Sequence, residues 1–333
     1  MSDHRTRARI RTRRRRSQPR RRENPAAKLF ARPTDAPAWA ALAIAVATLC
    51  WYLAYLAAGD GSGLLGYLNA AGIWLGLFAL AAALLLIRKK IFWGAAIGLV
   101  VALATIHQGW AFSFGSPGTA PGFRLVTASL RGLNPDMASA ATTLLAAKPD
   151  VLVVQEAHVG DLLNQLNRAG GTWNHAEHEM QIIACRCRIL NSQTAGGILS
   201  ADVALPGGPV RIWNIRAPKA YDSEVVNQTY FTALASQMSA QSVGIAAGDF
   251  NATPWNTGYA MTASVARDGW REGGRGPGFT FPTRYRQMGL LMPFIQIDHV
   301  FLTGPLRAAR MRVIGASNGA DHYPVAADIV RRS

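Results

Sequence analysis

Three apolar runs in succession constrain this chain more than any other feature of it. Residues 37–58 read PAWAALAIAVATLCWYLAYLAA, residues 64–87 read LLGYLNAAGIWLGLFALAAALLLI, and residues 91–112 read IFWGAAIGLVVALATIHQGWAF. Each is about twenty residues long and free of Asp, Glu, Lys and Arg, which is the helix length needed to cross a bilayer core. Three such runs are too many for buried hairpins of one soluble core, so three transmembrane helices are expected over residues 37–112. Trp39, Trp51, Tyr52, Trp93 and Trp110 stand near the run ends, where amphipathic rings favour the interface. Asn69 and His107, polar residues inside the runs, are expected at helix–helix contacts or at the interface.

The flanking charges set an orientation. Residues 1–36 carry the run RTRRRRSQPRRR, so most of the formal net charge of +16 belongs to this tail. A block of like charge with few large apolar residues cannot bury enough surface to offset its ordering entropy, and a disordered tail is expected. It suits contact with anionic lipid; it lacks the interleaved aromatic residues that stack on bases. Arg88, Lys89 and Lys90 separate the second and third runs, whereas the first and second are joined by GDGSG. By the positive-inside rule, tail and RKK loop are cytoplasmic. The expectation is a multi-pass protein of the inner (plasma) membrane, with everything after the third span periplasmic or extracellular.

Residues 113–122, SFGSPGTAPG, read as a linker, and residues 123–333 are long enough for one sizeable core. FRLVTASL, DVLVVQEA, PVRIWNIRA, SVGIAAGDF, IDHVFLTG and RMRVIGAS read as strands; PDMASAATTLLAA, GDLLNQLNRAG and VVNQTYFTALASQMSA read as helices, the second starting from Asp161 as N-cap and stopping at Gly170. The alternation indicates an α/β domain. Cys185 and Cys187 are too close for an easy mutual disulfide in extended chain, and no second pair completes a zinc pattern.

Several strands end on a carboxylate or amide: Glu156 after DVLVVQ, Asp249 and Asn251 in GDFN, Asp298 and His299 after PFIQI, and Asp321 and His322 in ADHYP. One such end is ordinary, but four suggest a rim on which they converge. Hard oxygen ligands on one rim suit Mg²⁺ or Mn²⁺. A histidine beside an aspartate adds a tunable proton carrier.

In this order and spacing, QE at Gln155 and Glu156, GDFN at Gly248–Asn251, ID at Ile297 and Asp298, and ADHYP at Ala320–Pro324 resemble the endonuclease/exonuclease/phosphatase family. The resemblance implies a deoxyribonuclease-like four-layer α/β sandwich after the all-α membrane region, and a metal-dependent phosphoesterase acting on nucleic acid, a phospholipid headgroup or a small phosphoester. It implies Glu156 as metal ligand and Asp321 as support of the metal shell through water. Asp249 would orient or deprotonate water, and Asn251 would bond phosphate or the metal shell. Asp298 would pair with His322, which would meet the scissile phosphate; Thr280 in GFTFPT would approach the substrate.

Two departures stand out. Ser129 occupies the place where the family usually has a metal-associated asparagine, with Asn134 as the alternative from the next loop. Arg216 stands for a histidine: a guanidinium binds phosphate bidentately but is no acid near neutral pH. A second reading is therefore a weak or inactive phosphate- or nucleic-acid-binding domain of the same fold. Arg271, Arg275, Arg284 and Arg286 lie among apolar residues in a segment suited to an anionic polymer, a bilayer surface or plain solvation.

Overall fold

The computed structural model describes residues 31–61, 63–112, 122–132, 134–169, 171–284 and 292–332. The basic tail up to residue 30, linker residues 113–121, Gly170 and Arg286 lie outside the described residues. Four helices come first: α1 (Ala36–Ala58), α2 (Gly63–Ala70), α3 (Gly72–Arg88) and α4 (Phe92–Gly109). The remaining elements are β1 (Ala111–Phe112), β2 (Gly122–Ser129), α5 (Met137–Ala146), β3 (Val151–Gln155), α6 (Val159–Arg168), β4 (Asn174–His178), β5 (Gln181–Cys185), β6 (Ile189–Ala195), β7 (Ile198–Leu205), β8 (Gly208–Arg216), α7 (Glu224–Ser239), β9 (Gly244–Asp249), α8 (Thr257–Ala263), β10 (Arg267–Asp268), α9 (Gly269–Gly273), β11 (Arg275–Gly276), β12 (Asp298–Leu302), β13 (Leu306–Val313) and β14 (Val325–Arg331).

The central strands are apolar on both faces, and their two-residue period divides them between cores. Leu125, Val151, Val153, Ile245, Ala247, Val300 and Leu302 meet in the cluster between two six-stranded sheets. Their neighbours Val126, Leu152 and Val154 turn outward to α5 and α6, while Ala246 and Phe301 turn outward to α7 and α8. Helix, sheet, sheet and helix make the four-layer sandwich. One sheet has the order β10-β12-β9-β8-β7-β6, the other β13-β14-β2-β3-β5-β4. The helices supply matching stripes, such as Leu162 and Leu166, four residues apart on α6. That helix starts earlier than expected: His158 precedes its first turn, and Asp161 lies within that turn, where a carboxylate faces the positive helix end. Cys185 and Cys187 are joined by a disulfide, contrary to expectation, because the chain bends after β5 and brings their Cα atoms to 5.1 Å.

Helices α1 and α4 are long and apolar enough to cross a membrane. Helices α3 and α4 pack through small residues: a Cβ on Gly98 of α4 would meet the Ala79 carbonyl of α3 at 2.8 Å, and one on Gly76 of α3 would overlap Thr105 of α4. The expected second span is not one helix. It breaks at Ala71 into α2 and α3, which turn through 65° and make a third span only if the pair is counted as one. Two contacts hold the bend. The ring of Trp255 lies over Gly72, where a Cβ would come within 2.5 Å of it. Asn69, fully buried, accepts from Trp51 Nε1 (3.0 Å) and donates to the Gly59 carbonyl (2.9 Å) and Asp60 Oδ1 (2.8 Å).

Asp60 carries this network into the sandwich. Its carboxylate accepts from Asn256 Nδ2 (2.9 Å) and from the backbone N–H of Thr257 (2.7 Å), so it caps α8 from another part of the chain. The third run also ends differently from expectation, as helix at Gly109, followed by β1 paired with β11. Arg271 donates to the carbonyls of His107 and Gln108 at that helix end, and is thereby engaged with the chain itself. Asp60→Ala removes the shared acceptor of three donors at a buried site. The full-length protein in detergent is expected to lose about 2–4 kcal/mol of stability, read as a lowered thermal midpoint.

Candidate active site

Sheet register brings the polar strand ends together. β8 and β9 run parallel with Arg216 beside Asp249, and β12 runs antiparallel to β9 with Asp298 beside Asp249. In the facing sheet β2 and β3 run parallel with Ser129 beside Gln155, so Glu156 follows at the same edge. The carboxyl ends of parallel strands are the usual place for a ligand in α/β folds. Between the sheets, Gln155 Nε2 donates to Asn214 Oδ1 (2.7 Å), and Asn214 Nδ2 donates to the Val154 and Ile182 carbonyls (2.8 and 3.0 Å).

The backbone at this edge is unusual. Glu156 and Asn251 have positive φ (56° and 45°), a conformation that costs side-chain-bearing residues energy and clusters at functional sites. Gly248, at φ 144°, is required: a Cβ there would sit 2.1 Å from the Ile215 carbonyl. That close approach seats Asp249 against β8.

Asp249, Asp298 and His322 are buried, and ligand atoms of the three lie within 4.8 Å of one another. His322 Nδ1 bonds Asp298 Oδ2 at 2.9 Å. Asp249 accepts from the Asn251 N–H (2.9 Å) and from Asn251 Nδ2 (3.1 Å). Burial, then Asp298 and Glu156, push the Asp249 carboxyl up to about 7 despite the opposing pull of His322. Burial opposes the charge on His322, but Asp298 and Asp249 outweigh it and lift the imidazole to about 10. His299, next to Asp298, points to the other face of β12. It bonds the Ala252 carbonyl through Nε2 (2.8 Å), and burial holds its pKa below the usual range.

The other expected residues divide between the cavity wall and the buried layer behind it. Glu156, Asp321 and Asn251 line the same cavity of about 100 Å³ as Asp249 and His322. Glu156 Oε1 also accepts from Arg216 Nε (3.2 Å) and Nη2 (3.0 Å). Ser129 is buried, and its hydroxyl has no hydrogen-bond partner among the described residues. Thr280 is fully buried as well; its hydroxyl accepts weakly from the N–H groups of Ile297 and Asp298 (3.4 Å each), so it seats Asp298 rather than meeting substrate. The sequence reading missed Lys219 and Tyr221 at the cavity, and above all Gly66 and Ala70 of α2. The charge of Asp60 amid apolar runs is the one signal that pointed there. A larger groove, about 620 Å³ against Trp270, Arg275 and Arg310, contains none of the acidic cluster.

The donors fit a hard divalent cation. They are carboxylate oxygens, one of them, Asp298 Oδ1, buried without a hydrogen-bond partner among the described residues.

A sandwich of two six-stranded sheets with an acidic, histidine-bearing cluster at its strand ends defines a class of proteins. The chain belongs to the endonuclease/exonuclease/phosphatase family, whose model matches residues 112–322. Members are typically phosphoester hydrolases and commonly use divalent metals. Solved structures share the fold. An endonuclease/exonuclease/phosphatase from Beutenbergia cavernae is 18% identical, with a TM-score of 0.51, covering 63% of this chain and 72% of its own. One from Bacteroides vulgatus is 15% identical, with a TM-score of 0.55, covering 64% and 100%. A mannosyl-6-phosphatase from Bacteroides thetaiotaomicron is 13% identical, with a TM-score of 0.52, covering 62% and 99%. No curated protein matches the chain by sequence.

The raised pKa values fix the sign of a pH effect on the metal-free protein. His322 titrates ordinarily near 6.5 and here near 10, so its stabilisation is complete below pH 6.5 and lost as pH rises toward 10. With EDTA present, the thermal midpoint of the full-length protein is expected to fall between pH 7 and 10, and His322→Gln to flatten that fall.

Proposed function

We propose that this chain is a membrane-anchored, divalent-cation-dependent phosphoesterase. The observation that carries the reading is the buried Asp249–Asp298–His322 cluster, open to a cavity that Glu156 and Asp321 also line. Glu156, Asp321, Asp249 and Asp298 are the residues that would hold Mg²⁺ or Mn²⁺. Such an ion supplies Lewis-acid polarisation of a phosphate oxygen.

The chain's own groups account for the proton traffic. Asp249, fixed by Asn251, is positioned to orient water and take its proton as the water oxygen bonds phosphorus. As the ester P–O bond breaks, the leaving oxygen takes a proton from His322. With Nδ1 committed to Asp298, Nε2 is the ring position that donates. The Asn251 amide spends its two N–H bonds on Asp249 and the Ala217 carbonyl (2.8 Å), so its part is to fix Asp249, and Arg216 contributes positive charge beside Glu156.

The helices support anchorage. Leu53, Leu56, Phe78, Leu84, Val100 and Leu103 are exposed along them, as lipid-facing residues would be. Lys89 pairs with Asp35 at the beginning of α1, whereas Asp60 beyond its end joins the sandwich. With the basic tail and RKK loop on the cytoplasmic side, the catalytic domain is placed outside the plasma membrane.

Full-length protein in detergent is expected to hydrolyse bis(p-nitrophenyl) phosphate with Mn²⁺ or Mg²⁺ and to stop with EDTA. Asp249→Asn and His322→Ala should each lower kcat by about 10²–10⁴-fold. Absence of both turnover and calorimetric metal binding would leave the weak or inactive binding domain as the better reading. Because Arg216 occupies Glu156, Arg216→Ala is expected to tighten Mn²⁺ by about two- to fivefold in calorimetry while raising KM for the diester.

A further inference from the structure

The catalytic cavity is completed by a piece of the apolar N-terminal region. Gly66 and Ala70 of α2 line it together with Lys219, Ala220 and Tyr221. The contact is close and specific. A Cβ on Gly66 would stand 3.7 Å from that of Ala220, the Gly66 carbonyl accepts from Asn256 Nδ2 (3.2 Å), and Tyr67 stacks on Tyr221 with ring centroids 4.2 Å apart.

Around this wall large apolar side chains are exposed, with the acidic Asp222 and Glu224 between Tyr221 and Val225. Leu64 is 70% exposed and Tyr67 57% on α2; Val225 is 75% and Val226 53% exposed in the first turn of α7, which starts just after Tyr221. Single exposed apolar residues are ordinary, but a collar beside a pocket and continuous with membrane-length helices marks a surface for an apolar partner. The cavity, about 100 Å³, has room for a phosphate headgroup and little more, below the usual size of a small-molecule site. Lys219 brings an ammonium to it, 5.7 Å from the Tyr221 ring centroid.

We propose that the substrate is the phosphoester headgroup of a bilayer lipid. It enters from the membrane surface while its acyl chains remain among Leu64, Tyr67, Tyr221, Val225 and Val226. This rests on the phosphoesterase reading and narrows its substrate. The α2 wall ties the cavity to the plane in which such headgroups lie, whereas a long water-borne polymer would have to pass between bilayer and collar.

Two measurements on the full-length protein test it. In the first, Cys50→Ala/Val225→Cys carries an environment-sensitive fluorophore in nanodiscs, and quenching by a lipid with a nitroxide near its headgroup is compared with quenching by iodide. In the second, Mn²⁺-dependent phosphate or headgroup release is compared between a soluble diester, single-stranded DNA, and vesicles of phosphatidylcholine, phosphatidylethanolamine, phosphatidylglycerol and phosphatidic acid. The proposal expects quenching from the lipid and faster turnover of vesicles than of either soluble substrate. It also expects the vesicle-to-soluble ratio to fall about tenfold in Val225→Asp/Val226→Asp, as losing the burial of an apolar side chain predicts. Quenching by iodide alone overturns it, as does preferred turnover of DNA or the soluble diester. If no substrate is turned over, the lipid-substrate proposal falls; absence of calorimetric Mn²⁺ binding as well takes the phosphoesterase reading with it, and the quenching result alone then decides whether the collar lies in lipid.

Discussion

Two carboxylates buried side by side are the constraint on which this site depends. The β9–β12 register sets Asp249 opposite Asp298, at the separation of a cross-strand pair, with almost no water to screen them. Such a pair persists only when the surroundings supply charge and donors. His322 supplies the charge through Asp298, and Asn251 supplies both its N–H and its amide to Asp249. Burial first, and the remaining negative charge after it, raise the Asp249 carboxyl, and that charge also makes the cluster a place for a cation. Gly248, which lets β9 approach β8, and Thr280, beneath Asp298, belong to the same arrangement.

Much of this was legible because the chemistry is local in the chain. QE, GDFN, ID and ADHYP each carry their polar group directly after an apolar strand, so the residues that a parallel or antiparallel register must bring to one edge are visible without knowing the register. The same strands, alternating with helices, made the α/β class legible, whereas the four-layer sandwich was an implication of the family resemblance and not of the apolar runs. β4 and β6 were not legible, and the buried β5, β7 and β14 were not read either. Asn174–His178 and Ile189–Ala195 are largely exposed edge strands whose polar side chains give no core pattern. The pairing of Glu156 with Arg216 was hidden for another reason, since it joins positions 60 residues apart through sheet packing.

The break in the second apolar run shows where composition misleads. Residues 64–87 are apolar enough to cross a membrane as one helix, and nothing within the run forbids it. What ends α2 is tertiary: Asn69 is held by Trp51, Gly59 and Asp60, and Asp60 is held in turn by Asn256 and Thr257, nearly 200 residues away. Hydropathy reports the solvent a segment tolerates; it does not report a competing partner elsewhere in the chain.

That partner changes what the helices do. A flexible tether would leave the sandwich free to turn relative to the apolar helices, with its cavity facing any direction. Here Trp255 is seated between Gly72 and Gly109, at positions where any Cβ would collide with its ring, and Gln108 donates to the Pro254 carbonyl. Apolar contact of this kind supplies the driving force, while the buried Asp60–Asn69–Asn256 network, whose members satisfy one another, selects one docking arrangement over others that bury similar area. The segment that links Trp255 to Asp249 is only a few residues long and includes Asn251, so an interface that fixes one also restrains the other. The helices are thus part of the construction of the site, and the cavity lined by Gly66 and Ala70 requires them in place.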